Sequence, residues 1–161
     1  MNEKLLYVCM GNICRSPTAK GIFDRALSLE GVEFVSESAG THDYHVGHAP
    51  DRRAIAAAAQ AGIDISGDLA RQLERDDFYR FSRIFCMDRA NLARIESLRP
   101  ADGTARVQLL MELAPGYGLD EVPDPYYGGA KGFVQVIDML EAAAAELARE
   151  LAADRSKPGQ Q

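Results

Sequence analysis

The sequence predicts an α/β domain, a parallel sheet with helices packed on both faces. Three observations predict it. Apolar runs too short for helices, such as Leu5-Leu6-Tyr7-Val8 and Ile84-Phe85-Cys86-Met87, are rich in strand formers. They alternate with longer stretches of helical periodicity, the pattern of consecutive βαβ units. The chain of 161 residues, 47% hydrophobic and 26% charged, suits one globular domain with a sizeable core.

Leu5–Val8 reads as a buried strand with Cys9 as its last residue. Ile22, Phe23, Ala26 and Leu27 then share one helical stripe, and Pro17 sits where a helix accepts its first residue. This helix should fade near Glu30-Gly31, and Glu33–Ser38 reads as a second strand. Gly40–Pro50 is a loop. Asp51 is a good N-cap for an Ala-rich helix, Arg52–Ala61, stopped by Gly62. Asp64–Leu73 is loop with a short turn, and Glu74–Arg80 a short helix. Ile84–Met87 is the third strand, and Asp88 caps a helix whose Leu92, Ile95 and Leu98 face the core. Arg106–Met111 is the fourth strand. Pro115–Gly132, rich in Gly, Pro, Asp and Tyr, is a long loop of the kind that carries function. A last helix, about Gly132 to Ala153, keeps the stripe Phe133, Ile137, Leu140, Ala144, Leu147, Leu151. Residues 1–154 are expected as one domain and 155–161 as a disordered tail. There is no internal repeat.

The segment Cys9-Met10-Gly11-Asn12-Ile13-Cys14-Arg15-Ser16 joins the first strand to the first helix. Glycine and asparagine can take positive φ, which turns successive N–H groups inward into a nest at a helix N-terminus, an anion site. Met10, Gly11, Asn12, Ile13, Cys14 and Arg15 would line it. Oriented N–H groups, the helix dipole and a guanidinium favour a thiolate at Cys9, on the floor of the nest. Arg15 offers a planar fork for two phosphate oxygens. Ser16 can cap the helix and donate its hydroxyl to the sulfur. In parallel sheets, ligands bind beyond the carboxyl ends of the strands, where Cys9 lies.

The net charge of −6 and pI near 5.1 argue against nucleic acid or anionic membrane as partners. No apolar stretch is long enough to span a bilayer. The N-terminus has no signal-peptide pattern, so the three cysteines read as thiols in a reducing cytoplasm. His42, His45 and His48 lack a helix face and a nearby cysteine, and the expectation is loop histidines with no metal or cofactor.

Val8-Cys9-Met10-Gly11-Asn12-Ile13-Cys14-Arg15-Ser16-Pro17 resembles the signature of the low-molecular-weight protein tyrosine phosphatases. Ser38-Ala39-Gly40-Thr41, Ala70-Arg71-Gln72-Leu73, Phe85-Cys86-Met87-Asp88 and Asp124-Pro125-Tyr126-Tyr127-Gly128 resemble that family in its order, so the likeness spans roughly residues 4 to 153. The resemblance implies a three-layer sandwich with strand order 2-1-3-4. It also implies a hydrolase that cleaves phosphotyrosine through a phosphocysteine on Cys9, in a phosphate-binding P-loop. Asp124, in the long loop and followed by Pro125, would protonate the leaving oxygen and then activate water. Tyr126 and Tyr127 on one side, and Tyr44 with Ile13 on the other, would wall a slot for an aryl phosphate.

The resemblance carries further expectations. Asn12 holds a left-handed conformation that keeps the loop open. Asp68 stands where many members carry His, which puts the usual brace of Asn12 in doubt, and Lys20 stands where the family usually shows an acid. Cys14 is expected to pair with Cys9 under mild oxidation, while Cys86 is read as packing. Arg52, Arg53, Arg71 and Arg75 read as surface charges. Tyr126 and Tyr127 are positions that kinases can phosphorylate in family members. Partners would be phosphotyrosine proteins, with a bacterial tyrosine kinase the expectation for a bacterial source, and the protein a monomer or weak dimer. Three alternatives use the same residues. Arsenate reduction needs downstream cysteines, and only Cys86 is offered. A protein arginine phosphatase commonly has Thr where this chain has Ile13. A non-catalytic phosphopeptide-binding module usually lacks the nucleophile or the acid, and this chain carries both.

Overall fold

Two faces of one strand divide the core. In β1 (Glu3–Cys9), Leu5 and Tyr7 pack into one hydrophobic cluster and Leu6 and Val8 into another, which is why the run is apolar at every position. The computed structural model describes residues 3–125 and 129–155. The remaining elements are α1 (Arg15–Leu29), β2 (Phe34–Gly40), α2 (Arg52–Gln60), α3 (Asp77–Arg80), β3 (Arg83–Cys86), α4 (Arg89–Leu98), β4 (Arg106–Leu109) and α5 (Gly129–Arg155). The four strands form one parallel sheet in the order β2-β1-β3-β4, as expected.

The first cluster, built on Tyr7, Phe23, Phe85, Leu140 and Leu147, joins the sheet to α1, α2 and α5. Within it, Tyr7, Phe23 and Phe85 pack their rings 5.0–6.2 Å apart. The second, with Phe78, Ile84, Cys86 and Ile95, joins it to α3 and α4. The chain leaves β1 for β2 on one side and later returns to β3 on the other, so the crevice at the carboxyl end of β1 is the topological switch point.

Several expectations need correction. The first helix begins at Arg15, not Pro17, because Cys14 occupies the N-cap position. Ser16 therefore lies in the first turn and is not the cap. The helix over 74–80 shrinks to Asp77–Arg80. β4 stops at Leu109, opposite the last residue of β3, and Leu110–Leu113 tighten into a 3₁₀ turn with Leu110 and Met111 still buried. Leu98, in the last turn of α4, is 38% exposed and does not face the core. The last helix starts at Gly129 and includes Arg155, whose guanidinium donates to the carbonyls of Glu30 and Gly31. This anchor holds Arg155 in the helix instead of the expected tail. Residues 156–161 lie outside the described residues.

Candidate active site

Cys9 ends β1 and its sulfur is met from two sides: the Asn12 N–H donates to Sγ at 3.3 Å, and Ser16 Oγ stands 3.1 Å away. Asn12 adopts φ 58°, the left-handed conformation that turns the loop back over the sulfur. Its side chain is fully engaged. Nδ2 donates to Ser16 Oγ at 2.7 Å and to Ser38 Oγ at 2.9 Å, and Oδ1 accepts the Arg71 N–H at 2.9 Å. Because Ser16 Oγ accepts from Asn12, its own proton goes either to Cys9 Sγ at 3.1 Å or to the Ala39 carbonyl at 3.4 Å. The brace of Asn12 is thus Ser38 with the Arg71 backbone, and none of its hydrogen bonds involves residue 68.

Gly40 lets β2 reach the loop. A Cβ there would lie 2.8 Å from the Met10 carbonyl oxygen and 3.2 Å from the Asn12 nitrogen. Loop carbonyls are tied outward: Cys9 O accepts from Thr41 N, Met10 O from His42 N and Ile13 O from Asp51 N. The Ala70–Leu73 segment closes the ring, since Gly40 N donates to Arg71 O and Leu73 N to Gly40 O. Arg71 is not a free surface charge. Its guanidinium forks onto Asp77, which is buried, and also reaches Glu37.

Arg15 is only 3% exposed. Nη1 donates to Asp88 Oδ2 at 2.7 Å and to Val122 O at 2.9 Å, and Nη2 lies 3.7 Å from Asp124 Oδ2. Burial opposes the charge, but Cys9, Asp88 and Asp124 outweigh it and hold the guanidinium more firmly protonated than usual. Asp88 also caps α4, accepting the Asn91 N–H at 2.8 Å. The sequence pattern signalled only this cap, and its grip on Arg15, 73 residues away, had no local signal.

Cys9, Met10, Gly11, Ile13, Cys14, Arg15, Tyr44, His45 and Asp124 line one cavity of about 200 Å³. Tyr44 is 69% exposed, with its ring 5.0 Å from that of His42. His45 packs over Gly11 and was not foreseen as a wall residue. His42 instead turns to Thr41 Oγ1 at 3.0 Å. Tyr126 and Tyr127 lie outside the described residues. Cys14 is buried in the same loop, and burial pushes its thiol pKa up, with the charges of Asp51, Cys9 and Asp124 adding to the effect. Cys86 donates to Gln108 O, and burial raises its pKa to about 12. That is the environment of a packing residue.

The family model for low molecular weight phosphotyrosine protein phosphatases matches residues 4–157. The chain belongs to this family. A fission yeast (Schizosaccharomyces pombe) member, named a low molecular weight phosphotyrosine protein phosphatase, is 40% identical over 147 residues, covering 87% of this chain and 94% of that one. The crystal structure of a protein tyrosine phosphatase from Entamoeba histolytica superposes with a TM-score of 0.90 at 34% identity, over 96% of this chain and 99% of that one. An arginine phosphatase from Drosophila also shares the fold, with a TM-score of 0.86 and 28% identity over 91% of this chain and 96% of that one.

The two departures from the family pattern meet in space. Asp68 is half-buried; burial raises its carboxyl pKa, with Asp24 and Asp64 adding to the rise, while Lys20 pulls it down. Lys20 also pairs with Asp24 at 2.8 Å, and Asp24 takes the Ser36 hydroxyl. A cation on α1 thus faces an anion in the loop that follows α2.

Proposed function

We propose that this protein is a protein tyrosine phosphatase using Cys9 as nucleophile and Asp124 as general acid and base. The observation that carries the proposal is that Cys9, Arg15 and Asp124 line one cavity floored by the inward-turned loop. The Cys9 thiolate attacks phosphorus, the bond to the phenolic oxygen breaks, and Asp124 donates its proton to that oxygen. Arg15 and the loop N–H groups hold the phosphoryl oxygens. Asp124, now a carboxylate, takes a proton from water as its oxygen attacks phosphorus, and Cys9 leaves as thiolate with the Ser16 hydroxyl beside it. Inorganic phosphate is released. No step calls for a metal.

Tyr44 and Ile13 line the cavity and offer an apolar wall suited to an aryl group. Ile13 also separates this reading from the arginine phosphatase alternative, because an apolar wall offers a guanidinium no hydrogen-bond acceptor. Phosphotyrosine proteins are the partner class, a tyrosine kinase among them. A cytoplasmic monomer or weak dimer fits the same reading. Among the described residues, no helix is long and apolar enough to cross a membrane.

The test is hydrolysis of phosphotyrosine, phosphoarginine and phosphoserine peptides side by side with EDTA present. Preference for phosphotyrosine, abolished by Cys9→Ser, is the expected result. Preference for phosphoarginine would keep the nucleophile and overturn the role given to Ile13. Binding without turnover would reassign the protein as a phosphopeptide-binding module.

A further inference from the structure

The loop carrying Asp124 is attached to the same short segment that holds Arg15. Met87, Asp88 and Arg89 run consecutively from the end of β3 into α4. Met87 O accepts the Val122 N–H at 2.8 Å. The Arg89 N–H donates to Glu121 Oε2 at 2.7 Å, and the Arg89 guanidinium donates to Asp120 Oδ2 at 2.5 Å. Between these attachments, Asp88 takes Arg15 Nη1, which also binds the Val122 carbonyl. Residues 120, 121 and 122 are therefore all tied down, and both polar backbone groups of Val122 are used.

Asp124 is two residues beyond this point and lies between Pro123 and Pro125. Fixed proline φ angles leave the short arm from Val122 to Asp124 little freedom, so the attachment sets where the carboxylate stands. Stability does not explain the clasp. Arg89 and Asp120 are 60% and 61% exposed, and such pairs contribute little. Nor does α4 need Glu121 as its cap, since Asp88 already serves there.

We infer that the Arg89 clasp on Asp120 and Glu121 is a positioning device for the general acid. It touches neither substrate nor reacting atoms and acts through the loop. The inference rests on the assignment of Asp124 as the acid. Small displacements of a proton donor are costly only where the proton is needed, so the defect should depend on the leaving group.

The experiment compares kcat/KM for phenyl phosphate, whose leaving group needs the proton, with p-nitrophenyl phosphate, whose leaving group needs it far less. The variants are full-length Arg89→Ala and the double variant Asp120→Ala/Glu121→Ala. The expected result is a loss on the order of tenfold for phenyl phosphate against less than about twofold for p-nitrophenyl phosphate. Arg89→Lys should recover part of the loss. Equal losses on both substrates with a lowered melting midpoint would show a merely structural clasp and overturn the inference. No loss on either substrate would overturn it as well. Asp124→Ala is run alongside: if that variant does not discriminate between the substrates, the acid assignment itself falls, and the clasp inference with it.

Discussion

Gly40 and Met10 are in backbone contact: a Cβ on Gly40 would stand 2.8 Å from the Met10 carbonyl oxygen. That carbonyl accepts from His42 N, and Gly40 itself is bonded on both sides to the Arg71–Leu73 segment. Neither partner can yield without moving the loop. Gly40→Ala should therefore push the phosphate loop out of position. We expect a stability loss of about 1–3 kcal/mol from overpacking and a fall in kcat/KM on p-nitrophenyl phosphate of at least about tenfold. Thermal melts and kinetics check both, and a variant with wild-type turnover would remove the contact from the mechanism.

Asp88 is the principal anchor of Arg15. Asp88→Ala leaves a buried guanidinium with the Val122 carbonyl at 2.9 Å and Asp124 at 3.7 Å, and it also uncaps α4. The cap alone is worth about 1 kcal/mol. A charge-assisted bond to a guanidinium is worth roughly 1.5–3 kcal/mol. Inhibition by inorganic phosphate should weaken about tenfold or more. Unchanged phosphate inhibition would show that Asp88 is not needed to orient Arg15.

What the sequence made legible was local. Apolar runs marked β1 and β3, and Asp51 and Asp88 cap the helices that follow them, accepting from Arg53 N and Asn91 N. The strand–loop–helix turn around residues 9–16 was legible because strand, turn formers and helix start lie close together in the chain. Errors arose where tertiary contacts override local pattern. Ser16 loses the cap because the loop brings the helix start forward to Arg15. Leu110 and Met111 satisfy a strand pattern, but β3 has no residue left to pair with them. The grip of Asp88 on Arg15, the Ser38 brace of Asn12 and the fork of Arg71 on Asp77 join residues distant in the chain, where no periodicity connects them.

Asp68 should destabilise the fold at neutral pH. Burial, with Asp24 and Asp64, raises its carboxyl pKa above 3.8 despite Lys20, so the folded chain holds the proton more tightly than the unfolded one. Its contribution is most favourable below the unfolded value and is lost as pH rises through the higher folded value. Asp68→Asn should therefore stabilise the protein at pH 7, by roughly a few tenths of a kcal/mol because the group is half solvated. The gain should vanish near pH 3.5. Lys20→Met should raise the carboxyl further and lower stability at pH 7. Urea midpoints at the two pH values measure this, and an equal gain at both would exclude the carboxyl's ionisation as the cause.

Cys14 should protect Cys9 from irreversible oxidation. Both are free thiols lining one cavity. Peroxide converts the Cys9 thiolate to a sulfenic acid with release of hydroxide, and the Cys14 thiol condenses with it, forming the disulfide and releasing water. Because burial keeps Cys14 protonated at neutral pH, condensation should quicken as pH rises. After brief peroxide exposure, dithiothreitol should restore most wild-type activity. Cys14→Ser should lose activity progressively as the sulfenic acid goes on to sulfinic acid, and Cys86→Ser should behave like the wild type. Equal recovery in Cys14→Ser and wild type would show that the sulfenic acid survives without a partner, and Cys14 would then be a packing residue.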